Sequence, residues 1–597
     1  MGITFQEDGT LKYLLPYMKK FGKESILAPL FKMLEAMFDL LVPIVVAQII
    51  DVGIQNGDAG YILGRCGILI AMALIGLACS FTAQYFAARA AIGTATGMRR
   101  QLMAHIQRLS FTELDSIGTS TLITRMTSDI NQVQNGVNMF LRLFLRSPFI
   151  VIGAMIMAFT IDWGAAGIFA VAIPVLAVIV FGVMKLTSPM YKQVQQKLDA
   201  VTSATRENLT GVRVVRAFGR EENEAERFAT ANGELNAAQL KVGRIAALMN
   251  PLTYVVVNLG IIALLYAGAG KVESGTLLSG DVVALLNYMS QILVELVKLA
   301  NLIVLLTRAI ASLGRVAAVL DTETSMVYPT EAAQRPADDP EEAVAFEHVS
   351  LTYKGAGDES ITDVSFRALK GSTIGVIGGT GSGKSTLVSL IPRFYDATRG
   401  EVRLMGRPIA DWTHDELRDR VATVMQRAQL FKGTIRSNLL FGLSSGQGET
   451  ATDDELWAAL EIAQAAEFVR QKPGQLDEAV EQGGRNLSGG QKQRLTIARA
   501  LVSKPDILIL DDSASALDYA TDAALRRALR QLPETTTTFI VSQRTSSIRH
   551  ADQILVLDDG ELVGCGTHDE LLQSCPVYAE IHESQFRSDR AKEGVKA

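Results

Sequence analysis

The sequence predicts a six-helix membrane domain with long helical extensions, followed by a soluble α/β P-loop domain. Three observations predict it. Apolar stretches of membrane-spanning length are confined to residues 25–315, two long polar segments without a strong breaker run separate some of them, and a strand–glycine loop–helix pattern lies within 340–590. At 597 residues the chain is too long for one compact domain. Its 48% hydrophobic and 20% charged residues are an average over these two unlike halves.

A spanning helix needs about 20 mostly apolar residues. Six stretches qualify, near 26–50, 62–87, 138–160, 163–184, 250–269 and 282–307. That many in half a chain exceeds what the buried core helices of a soluble protein supply. Glu35, Asp39, Arg142, Arg146, Glu295 and Lys298 fall within or near them. Charges at that depth point to a cavity or to helix pairing, and for the arginines also to snorkelling at the interface. The loop Asp51 to Gly60 has no Lys or Arg, and Lys271 is the only one between the last two spans, whereas Lys19, Lys20 and Lys23 precede the first. The two long segments are rich in Arg. Both termini and both segments are therefore expected on the cytoplasmic side of an inner (cytoplasmic) membrane, crossed several times.

Other classes are excluded or left without support. A net charge of −6 with no large basic patch argues against nucleic acid. Cys66, Cys79, Cys565 and Cys575 show no metal-ligand spacing. Met1 to Lys20 lacks the apolar core of a cleavable signal.

Between spans two and three, Arg89 to Asn138 is polar and helix-compatible, as is Thr187 to Asn250 between spans four and five. Neither has enough apolar content for a core of its own, so both read as helices continuing out of the bilayer. Their tips fall near 111–118 and 212–221. Asp321 to Glu342, with Pro329, Pro336 and Pro340, reads as a linker. The expected division is a transmembrane domain over 1–320, a linker over 321–342, a soluble domain over 343–585 and a disordered tail over 586–597.

Within the soluble domain, the apolar strand Thr373 to Ile377 leads into Gly378-Gly379-Thr380-Gly381-Ser382-Gly383-Lys384-Ser385-Thr386, and Leu387 to Leu390 can begin a helix. That context is what a G-x-x-x-x-G-K-S phosphate loop requires. Its glycines turn backbone N–H groups toward phosphate oxygens at a helix N-terminus. Lys384 would reach the β- and γ-phosphates of ATP, and Ser385 would ligate Mg²⁺. Downstream, Ile507-Leu508-Ile509-Leu510 ends in Asp511, whose carboxylate would hold Mg²⁺ at the sheet edge. This is an α/β P-loop nucleotide-binding domain.

Between them stands Asn486-Leu487-Ser488-Gly489-Gly490-Gln491-Lys492. Those three pieces in that order resemble the nucleotide-binding domain of ATP-binding-cassette transporters, and with the six spans the whole chain resembles a half-transporter of the type I exporter fold. The resemblance implies that Tyr353 stacks on adenine and that Gln426 touches Mg²⁺ or the attacking water. It also implies that Ser488, Gly489, Gly490 and Gln491 meet the γ-phosphate held by a second cassette, across an interface to which Asp518 belongs. The tip Val212 to Glu221, with Phe218 as apolar plug, resembles the coupling helix that docks into the partner's cassette.

Two positions depart from the family pattern. Asp512 stands where a catalytic Glu is usual, which retracts the carboxylate by about 1.5 Å. Gln543 stands where a His is usual, and a neutral amide cannot become cationic. The expected function is therefore one subunit of an ATP-driven exporter of small amphipathic molecules, drugs, lipids or peptides. Its partner would be a second half-transporter chain bearing Glu and His at its own site. A siderophore-type importer, a lipid flippase, or an ATP-gated channel or regulatory subunit with little turnover are the alternatives on the same fold.

Overall fold

The structure, a computed structural model, describes residues 10–331, 341–443, 451–513, 515–533 and 535–593. It divides into two compact units, one of residues 1–107 and 120–322, the other of 108–119 and 323–597. Part of the expected linker, 332–340, lies outside the described residues.

Among the described residues of the first unit six segments are long and apolar enough to cross a membrane: Gly22–Ile54, Ala59–Ile106, Thr119–Ile161, Trp163–Thr210, Glu221–Glu273 and Ser279–Leu320. Two of their starts are written in single acids. Asp58 accepts from the Tyr61 N–H at 3.0 Å and Asp162 from that of Ala165 at 2.6 Å, so each caps the helix that follows. The third segment is less regular than its composition implies. It is built from Thr119–Thr124, a π-helical turn Arg125–Asp129, Ile130–Leu143 and Arg146–Ile161.

Small residues let these helices approach closely, since apolar surface alone gives no drive to associate in lipid. Ala36, Ala154, Ala166 and Ala284 are fully buried around Tyr288, Phe169 and Met289. At Gly280 a Cβ would sit 2.4 Å from the Ala47 carbonyl oxygen. The intramembrane charges pair both within and between helices, and Glu35 meets Lys32 on its own helix at 2.6 Å. Arg146 bridges Glu295 at 2.6 Å and Asp39 at 2.9 Å, while Glu295 also accepts from Ser147 and Lys298. A cavity of about 390 Å³ opens beside them, lined by Asp39, Arg146, Gln291, Glu295 and Lys298 among others. The Arg146 and Glu295 side chains are 11% and 4% exposed, so this pair is buried. Arg146→Met is expected to destabilise the unit by about 3 kcal/mol or more, by leaving Glu295 short of a partner. Denaturant melts of the purified chain in nanodiscs check this, and an unchanged midpoint would show that Lys298 and Ser147 satisfy Glu295 without Arg146.

The described residues of the second unit form twelve strands: β1 (Glu342–Leu351), β2 (Ile361–Leu369), β3 (Thr373–Gly378), β4 (Arg399–Leu404), β5 (Arg407–Pro408), β6 (Val421–Val424), β7 (Gly433–Thr434), β8 (Ala479–Val480), β9 (Ile507–Asp511), β10 (Thr537–Val541), β11 (Gln553–Asp558) and β12 (Glu561–Gly566). The largest sheet runs β12-β11-β3-β10-β9-β6. All its pairs are parallel except β11 with β12. Strands buried on both faces read as unbroken apolar runs, which is why Ile507 to Leu510 carries no alternation. An antiparallel sheet, β2-β1-β4-β5, packs over one side of it. Phe346, Phe366 and Phe539 fill the space between, the first two stacked at 4.7 Å. A second apolar cluster holds the helices Asp453–Ile462 and Gly489–Val502.

The segment 108–119 belongs to this second unit. Its helix Phe111–Ile117 sets Phe111 4.7 Å from Phe394, and Tyr395 donates to Asp115 at 2.6 Å. Glu113 is buried; burial pushes its carboxyl up, but hydrogen bonds from Ser110 and Ser325 outweigh this and hold it below the ordinary value. The other tip, helix Val212–Ala217, is in the first unit and leaves Phe218 76% exposed. The last helix runs Pro576–Glu593, so the tail expected from 586 is helical as far as Glu593, and 594–597 lie outside the described residues.

Candidate nucleotide-binding site

Parallel strands deliver the site. β3, β10 and β9 lie side by side and end together, so the residues that follow them converge at one sheet edge. Gly378 closes β3 where a Cβ would meet the Leu557 carbonyl oxygen at 2.1 Å. Gly383 caps the helix Lys384–Ser389 with φ +91°, a left-handed turn that favours glycine. The turn wraps the Lys384 side chain, which is 9% exposed and donates to the carbonyls of Gly378 at 3.0 Å and Gly379 at 2.5 Å. Burial pulls its ammonium below the ordinary lysine range.

Asp511 ends β9 and accepts from the Ser385 hydroxyl at 2.9 Å. Burial pushes the carboxyls of Asp511 and Asp512 above the usual range. The Ser385 hydroxyl, the buried Asp511 carboxylate and the nearby Gln426 amide form a small set of hard oxygen donors. That set fits Mg²⁺, which keeps several waters and takes few protein ligands. Asp512 has φ +44° and its carboxylate accepts from Gln426 Nε2 at 3.4 Å.

A cavity of about 520 Å³ gathers Thr380, Gly381, Gly383, Lys384, Ser385, Thr386, Gln426, Asp511, Asp512 and Gln543. Gly378 and Ser382 stand behind this wall, Ser382 accepting from Lys384 at 3.4 Å. Tyr353 lies beside it and does not line it. Its hydroxyl donates to Thr386 at 3.2 Å, and its ring meets Tyr395 edge-on at 5.0 Å.

The remaining predicted residues are elsewhere. Ser488, Gly489, Gly490, Gln491 and Asp518 do not line this cavity. Ser488 is the N-cap of the helix Gly489–Val502: its hydroxyl accepts from the Gln491 N–H at 3.3 Å and its own N–H donates to Gln491 Oε1 at 3.0 Å. This is a capping box, and its S-x-x-Q spacing is legible in the sequence. Asp518 caps the helix Tyr519–Leu529 by accepting from Thr521. The two caps are neighbours, since a Cβ at Gly490 would lie 3.2 Å from the Ala516 carbonyl oxygen.

Sequence reasoning missed Glu359, Ser360, Asp559 and Gly560, which close one side of the cavity. Asp559-Gly560 reads as the hairpin turn between β11 and β12, and nothing local connects it to phosphates. A larger groove of about 680 Å³ begins just past Gln426, lined by Met425, Arg427, Gln429, Phe441 and Arg499 among others.

Comparison with known proteins agrees with this architecture. The family profile of the ABC transporter transmembrane region matches residues 25–296, and that of the ABC transporter matches 361–515. An ABC transporter ATP-binding protein of Mycobacterium tuberculosis (strain CDC 1551 / Oshkosh) is 35% identical over 578 residues, 97% of this chain and 98% of that one. The ATP-dependent lipid A-core flippase of Photobacterium profundum is 30% identical over 580 residues, again 97% and 98% of the two chains. Among solved structures, a bacterial Atm1-family ABC exporter with ATP bound shares the fold, with a TM-score of 0.77 at 24% identity over 94% of this chain and 98% of that one. With its spans and its cassette on one polypeptide, the chain belongs to the ATP-binding-cassette transporters, as a half-transporter of the type I exporter fold that couples ATP hydrolysis to transport.

Proposed function

We propose that this chain is the slow-site subunit of a heterodimeric exporter of small amphipathic molecules, drugs, lipids or peptides. The observation that carries the reading is that Asp512 and Gln543, the two departures from the family pattern, line the same cavity as an otherwise complete phosphate loop. Lys384 would exchange its carbonyl partners for the β- and γ-phosphate oxygens of ATP. Ser385, Asp511 and Gln426 would hold Mg²⁺, which supplies charge neutralisation of the phosphates when bound. Tyr353 would stack on the adenine. What is weak is activation of water: Asp512 is the shorter acid, and Gln543 offers hydrogen bonds without charge. Ser488, Gly489, Gly490 and Gln491, with Asp518 beside them, are free of this cavity and would complete the partner's hydrolytic site.

The lysine and arginine distribution supports cytoplasmic termini and cassette. The helix Val212–Ala217 and Phe218 would couple to the partner's cassette, and the helix Phe111–Ile117 to its own. A lipid substrate is favoured by the likeness to the lipid A-core flippase, and transfer of a labelled lipid between leaflets is the assay for it.

The purified chain alone is expected to hydrolyse ATP at least tenfold more slowly than the assembled pair. Vigorous turnover by a verified homodimer, lost on Lys384→Ala, would sink the heterodimer.

A further inference from the structure

The last helix, Pro576–Glu593, is tied to the strands that carry the phosphate site. Its Tyr578 is fully buried in a cluster with Ile377 of β3, Ile548, Ile554 and Val556. Two turns further along, Gln585 uses both ends of its amide on the segment that follows β10. Oε1 accepts from the Thr545 N–H at 3.0 Å and from the Thr545 hydroxyl at 3.0 Å. Nε2 donates to the Gln543 carbonyl at 2.7 Å. Only this orientation of the amide satisfies both an N–H and a carbonyl. His582, one turn earlier, has its Nδ1 3.3 Å from the Thr545 hydroxyl oxygen. That hydroxyl spends its one proton on Gln585, so His582 must be the donor in this contact.

Gln585 therefore brackets Arg544, gripping the residue on either side. The Gln543 side chain is exposed toward the cavity and makes no hydrogen bond among the described residues. No partner among the described residues holds the amide itself, so what Gln585 fixes is the backbone position from which the side chain reaches. A charged group at that position would attract phosphate over a range of angles, whereas a neutral amide acts only when aimed.

We propose that Gln585 is a positioning residue for the nucleotide site: through it the C-terminal helix holds the Gln543 backbone so that the amide meets the terminal phosphate of ATP. This helix is thereby part of what tells ATP from ADP. The proposal rests on the reading of Gln543 as the group facing that phosphate.

The test is the affinity of the purified full-length chain, in nanodiscs with Mg²⁺, for ATP and for ADP, with melting temperatures measured alongside. Gln543→Ala measures what the amide contributes. Gln585→Met keeps the shape and removes all three hydrogen bonds, and Gln585→Glu keeps the acceptor for Thr545 but loses the donor to the Gln543 carbonyl. All three are expected to weaken ATP by about tenfold and leave ADP unchanged, the loss of one hydrogen bond to a charged group. If Gln543→Ala lowers the preference for ATP while both Gln585 variants retain it, the positioning role is overturned. An unchanged preference in Gln543→Ala overturns the reading of Gln543, and the positioning role with it. Equal loss of ATP and ADP in the Gln585 variants would mean a merely structural helix and also overturns the proposal. Should Gln585→Met fail to fold, Gln585→Glu decides.

Discussion

Ser488→Arg is expected to abolish steady-state ATP hydrolysis by the assembled pair, whereas Asp512→Ala leaves most of it. Ser488 is exposed at the N-terminus of a helix, with two glycines after it that let another backbone come close. Arginine there loses the cap, worth about 0.5–2 kcal/mol, and fills the approach path with a long cation. The larger effect is on the partner's site, which would lack its γ-phosphate donors; removal of such positioned groups commonly costs about 10²–10³ in rate. On the proposed reading Asp512 lies in the slower of the two sites, so its loss should remove little from the total. Rates for the two variants, measured side by side at saturating ATP, decide the assignment. Comparable losses would place the hydrolytic site in this chain.

Phe218→Asp should collapse transport into vesicles while nucleotide affinity stays within about twofold of the parent. Phe218 follows the helix Val212–Ala217 and is exposed together with Val214, amid Arg213, Arg216 and Arg220. On the cassette, the groove past Gln426 offers Met425 and Phe441, 44% and 63% exposed. If the partner's cassette carries a like groove, Phe218 is the apolar group to fill it. An aspartate would bring a charge into that socket at a cost of several kcal/mol, so the helix would undock instead. Full transport at normal expression would move the docking residue elsewhere between Val212 and Glu221.

What was legible in the sequence was local. The phosphate loop, the Asp511 strand and the Ser488 segment each put their chemistry within a few consecutive residues, because backbone turns and helix starts are short-range events. The six spans were legible for a related reason: length and apolarity are what a bilayer demands of each helix separately. The structure's other findings join residues far apart in the chain. Asp115 meets Tyr395, Glu113 meets Ser325, and Gln585 grips Gln543 and Thr545. No periodicity encodes such a pair, since each partner alone is an ordinary polar residue on a helix or loop. The breaks inside the third span were equally hidden: a π-turn at Arg125–Asp129 changes the helix without changing its composition.

The segment 108–119 has a practical side. The chain enters the cassette unit, leaves it, and returns some two hundred residues later, so the cassette is not a contiguous gene fragment. A recombinant cassette cut anywhere in the linker would leave behind the helix Phe111–Ile117 and bare the faces of Phe394 and Tyr395 on which it rests. Exchange of cassettes between related transporters meets the same obstacle: a graft at one junction mismatches this inlay, and a compatible chimaera must carry twelve residues from the opposite end of the donor's reading frame.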